Sequence, residues 1–213
     1  MSQIVMAGIC GVAAYFIGNI SPSTILAKRQ GIDIKSEGSG NAGTTNALRV
    51  MGKKAGAVTC IVDILKGLVA VLIGTILAGS MGASICGLMV FLGHVWPAIY
   101  KFKGGKGVAT TFGSVLGISP LAGLVAFLIV AIGVFTSKRM SVGSIIGAAT
   151  LPLVMLFFRP WYVWVSVIIA VVVIVQHRAN ISRLIKGEEP VMGIFKQPED
   201  KEESEDRTPE EKA

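Results

Sequence analysis

The chain has 213 residues, 52% hydrophobic and 15% charged, with a mean hydropathy of +0.68, a composition outside the soluble range and within that of polytopic membrane proteins. Its formal net charge of +7 conceals a division, because eight acidic residues (Glu199, Asp200, Glu202, Glu203, Glu205, Asp206, Glu210 and Glu211) lie after residue 197 and leave 17 basic against 5 acidic residues before it. A positive body in an apolar chain points to cytoplasmic loops and an anionic ligand, and away from nucleic acid.

Apolar runs at 4–20, 55–79, 82–100, 107–118, 121–136, 141–158 and 161–177 have helical length, the fourth being short for a bilayer crossing of about 20 residues. The expected fold is therefore all-α, an integral membrane protein with seven transmembrane helices. The first run has no basic n-region or cleavage site and reads as a retained span. Cys10, Cys60 and Cys86 fall in apolar runs without ligand spacing, so they read as small buried hydrophobes, and neither a metal nor a cofactor is expected.

Basic residues alternate between the connections. Lys28, Arg29, Lys35, Arg49, Lys53 and Lys54 follow the first run, Lys101, Lys103 and Lys106 the third, Lys138 and Arg139 the fifth, and Arg178, Arg183 and Lys186 the seventh, whereas Arg159 stands alone on the other side. The positive-inside rule then predicts an outside N-terminus and a cytoplasmic C-terminus, with Trp161, Tyr162 and Trp164 in an outer aromatic belt. The chain divides into a membrane-embedded body, 1–196, and an acidic, Pro-containing tail, 197–213, expected to be disordered. No internal repeat of the transporter kind is visible.

Three polar segments fall on the cytoplasmic side of this topology. The first, Ser36–Asn46, is eleven small or polar residues with three glycines; glycine lets backbone approach a ligand, and N–H groups beside Ser, Thr and Asn form an anion cradle. The second runs from Gly93-His94 through Pro97 to Phe102-Lys103-Gly104-Gly105-Lys106-Gly107-Val108-Ala109-Thr110, and places backbone N–H groups, a cation and a helix start together, as a phosphate dianion requires. A Lys/Gly-rich loop after a span is ordinarily a positive-inside anchor; the first loop on the same face favours a ligand site. Neither Lys53 nor Lys106 stands in a Walker A context. The third is His177 to Glu189, where His177, Asn180, Ile181 and Leu184 share one helical face with Arg183 and Lys186 nearby. Asp63 and Lys66, three apart in the second run, read as a self-neutralising pair on one helix face.

Together these segments (Gly38 to Asn46, Gly93-His94 to Thr110, and His177, Asn180, Ile181, Arg183 and Leu184 with Gly187 and Glu189) resemble the three motifs of the bacterial acyl-phosphate:glycerol-3-phosphate acyltransferases, the PlsY family, over nearly the whole chain to about residue 190. Thr44, where the family commonly has Ala, and the acidic tail are the visible departures. The resemblance implies seven helices in the bacterial inner membrane and a cytoplasm-facing site. It also implies transfer of a fatty acyl group from acyl phosphate to the 1-hydroxyl of glycerol 3-phosphate, giving lysophosphatidic acid in the first step of phospholipid synthesis.

The expected partners are thus acyl phosphate, glycerol 3-phosphate and membrane lipid; no oligomeric state is assigned. Acyl phosphate is a mixed anhydride with a good leaving group, so alignment and charge stabilisation suffice without an acyl-enzyme. The loop with Gly38, Ser39, Gly40, Asn41, Gly43, Thr44, Thr45 and Asn46 is assigned mainly to the donor's head group, and Arg49, Lys103, Gly104, Gly105, Lys106 and Gly107 complete the substrate-binding set. His177, Asn180 and Ser39 are the catalytic candidates, His177 either as general base or as an orienting group. Ser39 has no nucleophile elbow or neighbouring His to support covalent chemistry. Ile99 and Ser182, five positions after His94 and His177, exclude the His-x4-Asp signature of thioester-dependent glycerolipid acyltransferases. The competing classes are a transporter for a phosphorylated solute, which would show solute uptake without acyl product, and a non-catalytic scaffold.

Overall fold

Ser2 caps the first helix, accepting a hydrogen bond from the Val5 amide, and the uninterrupted apolar sequence carries α1 from Gln3 to Gly18. The structure is a computed structural model and describes residues 2–192 and Phe195; the boundary expected at 196 and the tail 197–213 lie outside the described residues. Ser21, with Pro22 at the first helical position, starts the short α2 (Pro22–Arg29), which ends on Lys28 and Arg29 where cations suit the carbonyl end of a helix. The apolar pattern gave no hint of α2, because eight residues with alternating character carry too little periodicity.

The long element α3 (Thr44–Val95) holds both the second and third apolar runs and leaves helical geometry at Gly52 and at Ala78-Gly79. Gly79 takes φ of 59°, a left-handed value open to glycine, and there the chain reverses. The two legs lie antiparallel: Gly74 abuts Gly82, Val71 packs on Gly87, and Lys66 reaches His94. Then follow α4 (Val108–Ile118), α5 (Pro120–Ser137), α6 (Met140–Phe158), α7 (Val163–Gln176) and α8 (Arg178–Ile185), with single 3-10 turns at Ala98–Tyr100 and Pro160–Tyr162.

All seven predicted apolar runs are therefore helical. By length and composition, four of the described helical stretches can cross a membrane unaided, or five when α7 and α8, bent by 55° at His177, count as one span. The difference from seven arises because α3 contains two runs and because α4, with 11 residues, falls short.

Packing is inverted relative to a soluble protein. The exterior carries large apolar side chains, with Ile76 and Phe157 about four-fifths exposed, while the contacts between helices use small residues. Gly18 and Gly93 meet at the α1–α3 crossing and Gly133 and Gly143 at α5–α6, while at α3–α4 Gly67 lies against the Thr110 carbonyl and Gly113 against the Ile64 carbonyl. Larger residues (Phe91, Val115, Leu151, Met155, Val165 and Ile169) fill the middle of α3, α4, α6 and α7. Lipid is as apolar as these side chains, so close van der Waals contact holds the helices together more than the hydrophobic effect does.

Candidate active site

The first polar segment is braced from within. Asn46, buried in the first turn of α3, accepts the Ser39 amide at 2.8 Å and donates to the carbonyls of Ile34 (3.2 Å) and Glu37 (3.0 Å). Its amide is thus spent on holding the loop's shape. Gly38 and Gly40, at φ of 60° and 66°, make the turns around it. Ser39 is exposed, and no hydrogen bond joins it to His177 among the described residues. Gly43 begins α3 without a side-chain cap, so the first-turn N–H groups of Thr44 and Thr45 stay open.

The second segment ends the same way. Gly107 (φ 82°) starts α4, again with no side-chain cap. Thr44 on α3 and Thr110 and Thr111 on α4 carry buried hydroxyls without a partner among the described residues. Two uncapped helix starts, each with an unpaired hydroxyl, supply fixed positive potential and donors for anionic oxygen. Gly104 and Gly105 fold back on the end of α3, their amides bonding the Val95 and His94 carbonyls at 3.2 and 3.1 Å. A Cβ on Gly105 would collide with the His94 ring and lie 3.2 Å from the Ala42 carbonyl, so the first and second loops meet at this glycine.

Lys106 links the second segment to the third, for its Nζ donates to Asn180 Oδ1. Asn180 Nδ2 donates to Glu189 Oε1 at 2.7 Å, and Arg183 Nε donates to Glu189 Oε2 at 2.8 Å. Arg139, between α5 and α6, donates through Nε to the Glu189 carbonyl at 2.9 Å. Burial lowers the Lys106 ammonium to about 8, against the pull of Glu189 and aided by the charges of Arg183 and Arg49. Burial alone would push the Glu189 carboxyl up; the Ser141 hydroxyl, Asn180 and Arg183 outweigh it and hold the carboxyl below its ordinary range. His177 is buried at the α7–α8 bend, and its Nδ1 lies 2.8 Å from the Val173 carbonyl. In the neutral ring that contact places the proton on Nδ1 and leaves Nε2 as an acceptor.

Lys106, Asn180 and Arg183 are thus brought together, Arg49 stands near enough to act on the Lys106 charge, and Gly105 touches the first loop. Lys103 is exposed and outside this chain of bonds. Three participants were not among the predicted site residues. Glu189 closes the third segment, Arg139 reads as a positive-inside residue, and His94 reads as a span end. Of these, Glu189 had a signal in its acidic side chain among Arg183, Lys186 and Asn180, and His94 in its place at the start of the second segment; Arg139 had none.

Fold and site define an all-helical membrane protein whose polar segments converge on one cationic, donor-rich centre. The sequence profile of one family, glycerol-3-phosphate acyltransferase, matches residues 8–187. The chain belongs to that family and is an acyltransferase. The glycerol-3-phosphate acyltransferase of Thermoanaerobacter pseudethanolicus is 46% identical over 190 residues, covering 88% of this chain and 96% of that one. The Clostridioides difficile protein of the same name is 43% identical over 201 residues, covering 89% and 97%. Among solved structures, the glycerol 3-phosphate form of PlsY, an integral membrane glycerol 3-phosphate acyltransferase, superposes with a TM-score of 0.85 at 34% identity, covering 89% of this chain and 99% of that one. The lysophosphatidic acid form of PlsY gives 0.80 at 36%, covering 88% and 95%.

Proposed function

We propose that the protein moves a fatty acyl group from acyl phosphate to the 1-hydroxyl of glycerol 3-phosphate, releasing lysophosphatidic acid and inorganic phosphate. The observation that carries this reading is the bonded chain Lys106–Asn180–Glu189–Arg183 beside two uncapped helix starts, a centre with cations and N–H donors enough for two phosphate groups. The acceptor hydroxyl oxygen attacks the acyl carbonyl carbon, the carbon–oxygen bond to phosphate breaks, and phosphate leaves as hydrogen phosphate carrying the hydroxyl proton. Lys106 and Arg49 hold the acceptor's phosphate. His177 Nε2 accepts a hydrogen bond from the hydroxyl and aims it, and the α3 start with the loop Ser39–Asn46 holds the donor's head group. No covalent acyl-enzyme is needed, because a mixed anhydride is already activated.

The same reading places the centre on the cytoplasmic side of a bacterial inner membrane, with seven crossings, the N-terminus outside and the C-terminus inside. Its support is the alternation of basic residues together with the reversal of α3 at Gly79, which turns one long element into two antiparallel legs. The acyl tail of the donor then stays in the bilayer. The test is purified protein in detergent given palmitoyl phosphate and glycerol 3-phosphate, with lysophosphatidate read by mass spectrometry. Product forms with the parent and falls with His177→Ala; no product, or an unaltered rate for the variant, overturns the reaction or the role of His177 respectively.

A further inference from the structure

Beneath the proposed site, and outside the Lys106 chain, lies a second polar cluster sealed in the helices. Asp63, Lys66 and His94 are 1%, 5% and 6% exposed. Lys66 Nζ lies 2.7 Å from Asp63 Oδ1 and 2.7 Å from His94 Nδ1, and it also donates to the carbonyls of Ile20 at 2.9 Å and Gly18 at 3.2 Å; His94 Nδ1 is farther from the same Asp63 oxygen, at 3.4 Å. An ammonium has three hydrogens and no lone pair, so its approach to His94 makes Nδ1 an acceptor. The ring proton then resides on Nε2. That edge of the imidazole lies under Gly105, where the glycine-rich loop carrying Lys106 meets the Ala42 carbonyl of the first loop.

From this we infer that His94 is a positioning residue for acyl transfer: Lys66, itself held by Asp63 and the α1–α2 corner, sets its tautomer so that the Nε2–H edge supports the junction of the two phosphate-binding loops. A charged cluster in a membrane interior is costly to bury, and the glycine contacts already bring these helices together, which leaves the cluster scope for a role in addition to the framework. The backbone of the loop is independently tied to the His94 and Val95 carbonyls. Changing the His94 side chain therefore alters the support under Gly105 without cutting the loop loose. Only glycine fits at that point, because any Cβ would meet the ring.

The inference rests on the assignment of the Lys106 loop to glycerol 3-phosphate, and the experiment separates the two. Initial rates are measured in detergent at saturating palmitoyl phosphate with glycerol 3-phosphate varied. His94→Asn keeps an acceptor near the Nδ1 position but loses the Nε2–H; it is expected to raise KM for glycerol 3-phosphate about tenfold, as for a lost orienting partner, with kcat within about twofold. His94→Gln places an amide N–H near the Nε2 position and recovers most of that loss. Gly105→Ala raises KM in the parent, and raises it less in the His94→Asn background, where the ring it would strike is gone. Equal KM for parent and both His94 variants, or a Gly105→Ala effect unchanged by His94→Asn, overturns the inference. If neither His94 variant can be purified folded, the Lys66→Met/Asp63→Asn double variant decides, since it removes the groups that fix the ring: a raised KM for glycerol 3-phosphate with that for palmitoyl phosphate unchanged supports the inference, and unchanged KM values overturn it. Lys106→Ala is run alongside. An unaltered KM there defeats the loop assignment itself, whereas a raised KM with silent His94 variants defeats the positioning role only.

Discussion

The two polar centres of the molecule differ in how their bonding capacity is used. Around Lys66 the ammonium is fully engaged, its three hydrogens facing two carbonyls and an imidazole while the Asp63 carboxylate lies 2.7 Å away as its counter-ion. Around Lys106 capacity is left over: among the described residues its side chain bonds Asn180 alone, and the starts of α3 and α4 keep open N–H groups and unpaired hydroxyls. A buried ammonium with every hydrogen engaged holds a framework, because its loss strands a charge. An unsaturated one is built for a ligand that completes it.

That contrast is broken most severely at Lys66. Lys66→Met leaves the buried Asp63 carboxylate with only the His94 ring, whose Nδ1 lies 3.4 Å away, to neutralise it, and stability should fall by about 3 kcal/mol. Asp63→Asn with Lys66→Met, which removes both charges, should recover much of the loss. Thermal unfolding in detergent reads both, and a Lys66→Met protein that unfolds at the parent's temperature would show the centre is not a framework.

Lys106→Ala is the converse. Unfolding should be unmoved while kcat/KM for glycerol 3-phosphate drops about a hundredfold, the scale of one lost charge-stabilising donor. The pH profile sharpens the same point. Since the Lys106 ammonium is lowered to about 8 in the free protein, it is charged below that pH and loses its proton above it. KM for glycerol 3-phosphate is therefore expected to be flat from 7 to 8 and to climb about tenfold per unit beyond, and Lys106→Arg, whose guanidinium keeps its charge, should abolish the climb. A parent profile flat to pH 10 would detach Lys106 from the phosphate.

What the sequence reveals and what it hides follow the range of the interactions involved. Helices declared themselves through apolar runs, and the three polar segments through glycine and lysine placed beside those runs, both local signals. Hidden were the contacts made by distant parts of the chain. Arg139 meets the Glu189 carbonyl 50 positions on, Lys66 finds His94 only because α3 reverses at Gly79, and Asn46 turns inward to grip Ile34 and Glu37. The Asp63–Lys66 pair read correctly as mutual neutralisation. Its third member lay on the other leg of the hairpin, where helical spacing has no reach. His177 and Asn180 were expected on one face of a continuous helix; both are buried, but the bend between α7 and α8 falls at His177, so packing sets their relation rather than the 3.6-residue period.

The smallest effect tests which loop holds which phosphate. Among the described residues the Asn46 side chain bonds the first loop and the Ile34 carbonyl just before it, through one accepted and two donated bonds. Asn46→Ala frees the Ser39 amide and loosens the turn at Gly38 while the Lys106 chain stays intact, so its cost should be about 1 kcal/mol, or roughly fivefold, in one kinetic constant only. If the first loop binds the donor, KM for palmitoyl phosphate rises and KM for glycerol 3-phosphate does not. The reverse pattern would exchange the two phosphates between the loops. The chemistry would stand, because the attacking oxygen and the anhydride need only be aligned across the point where Gly105 meets Ala42.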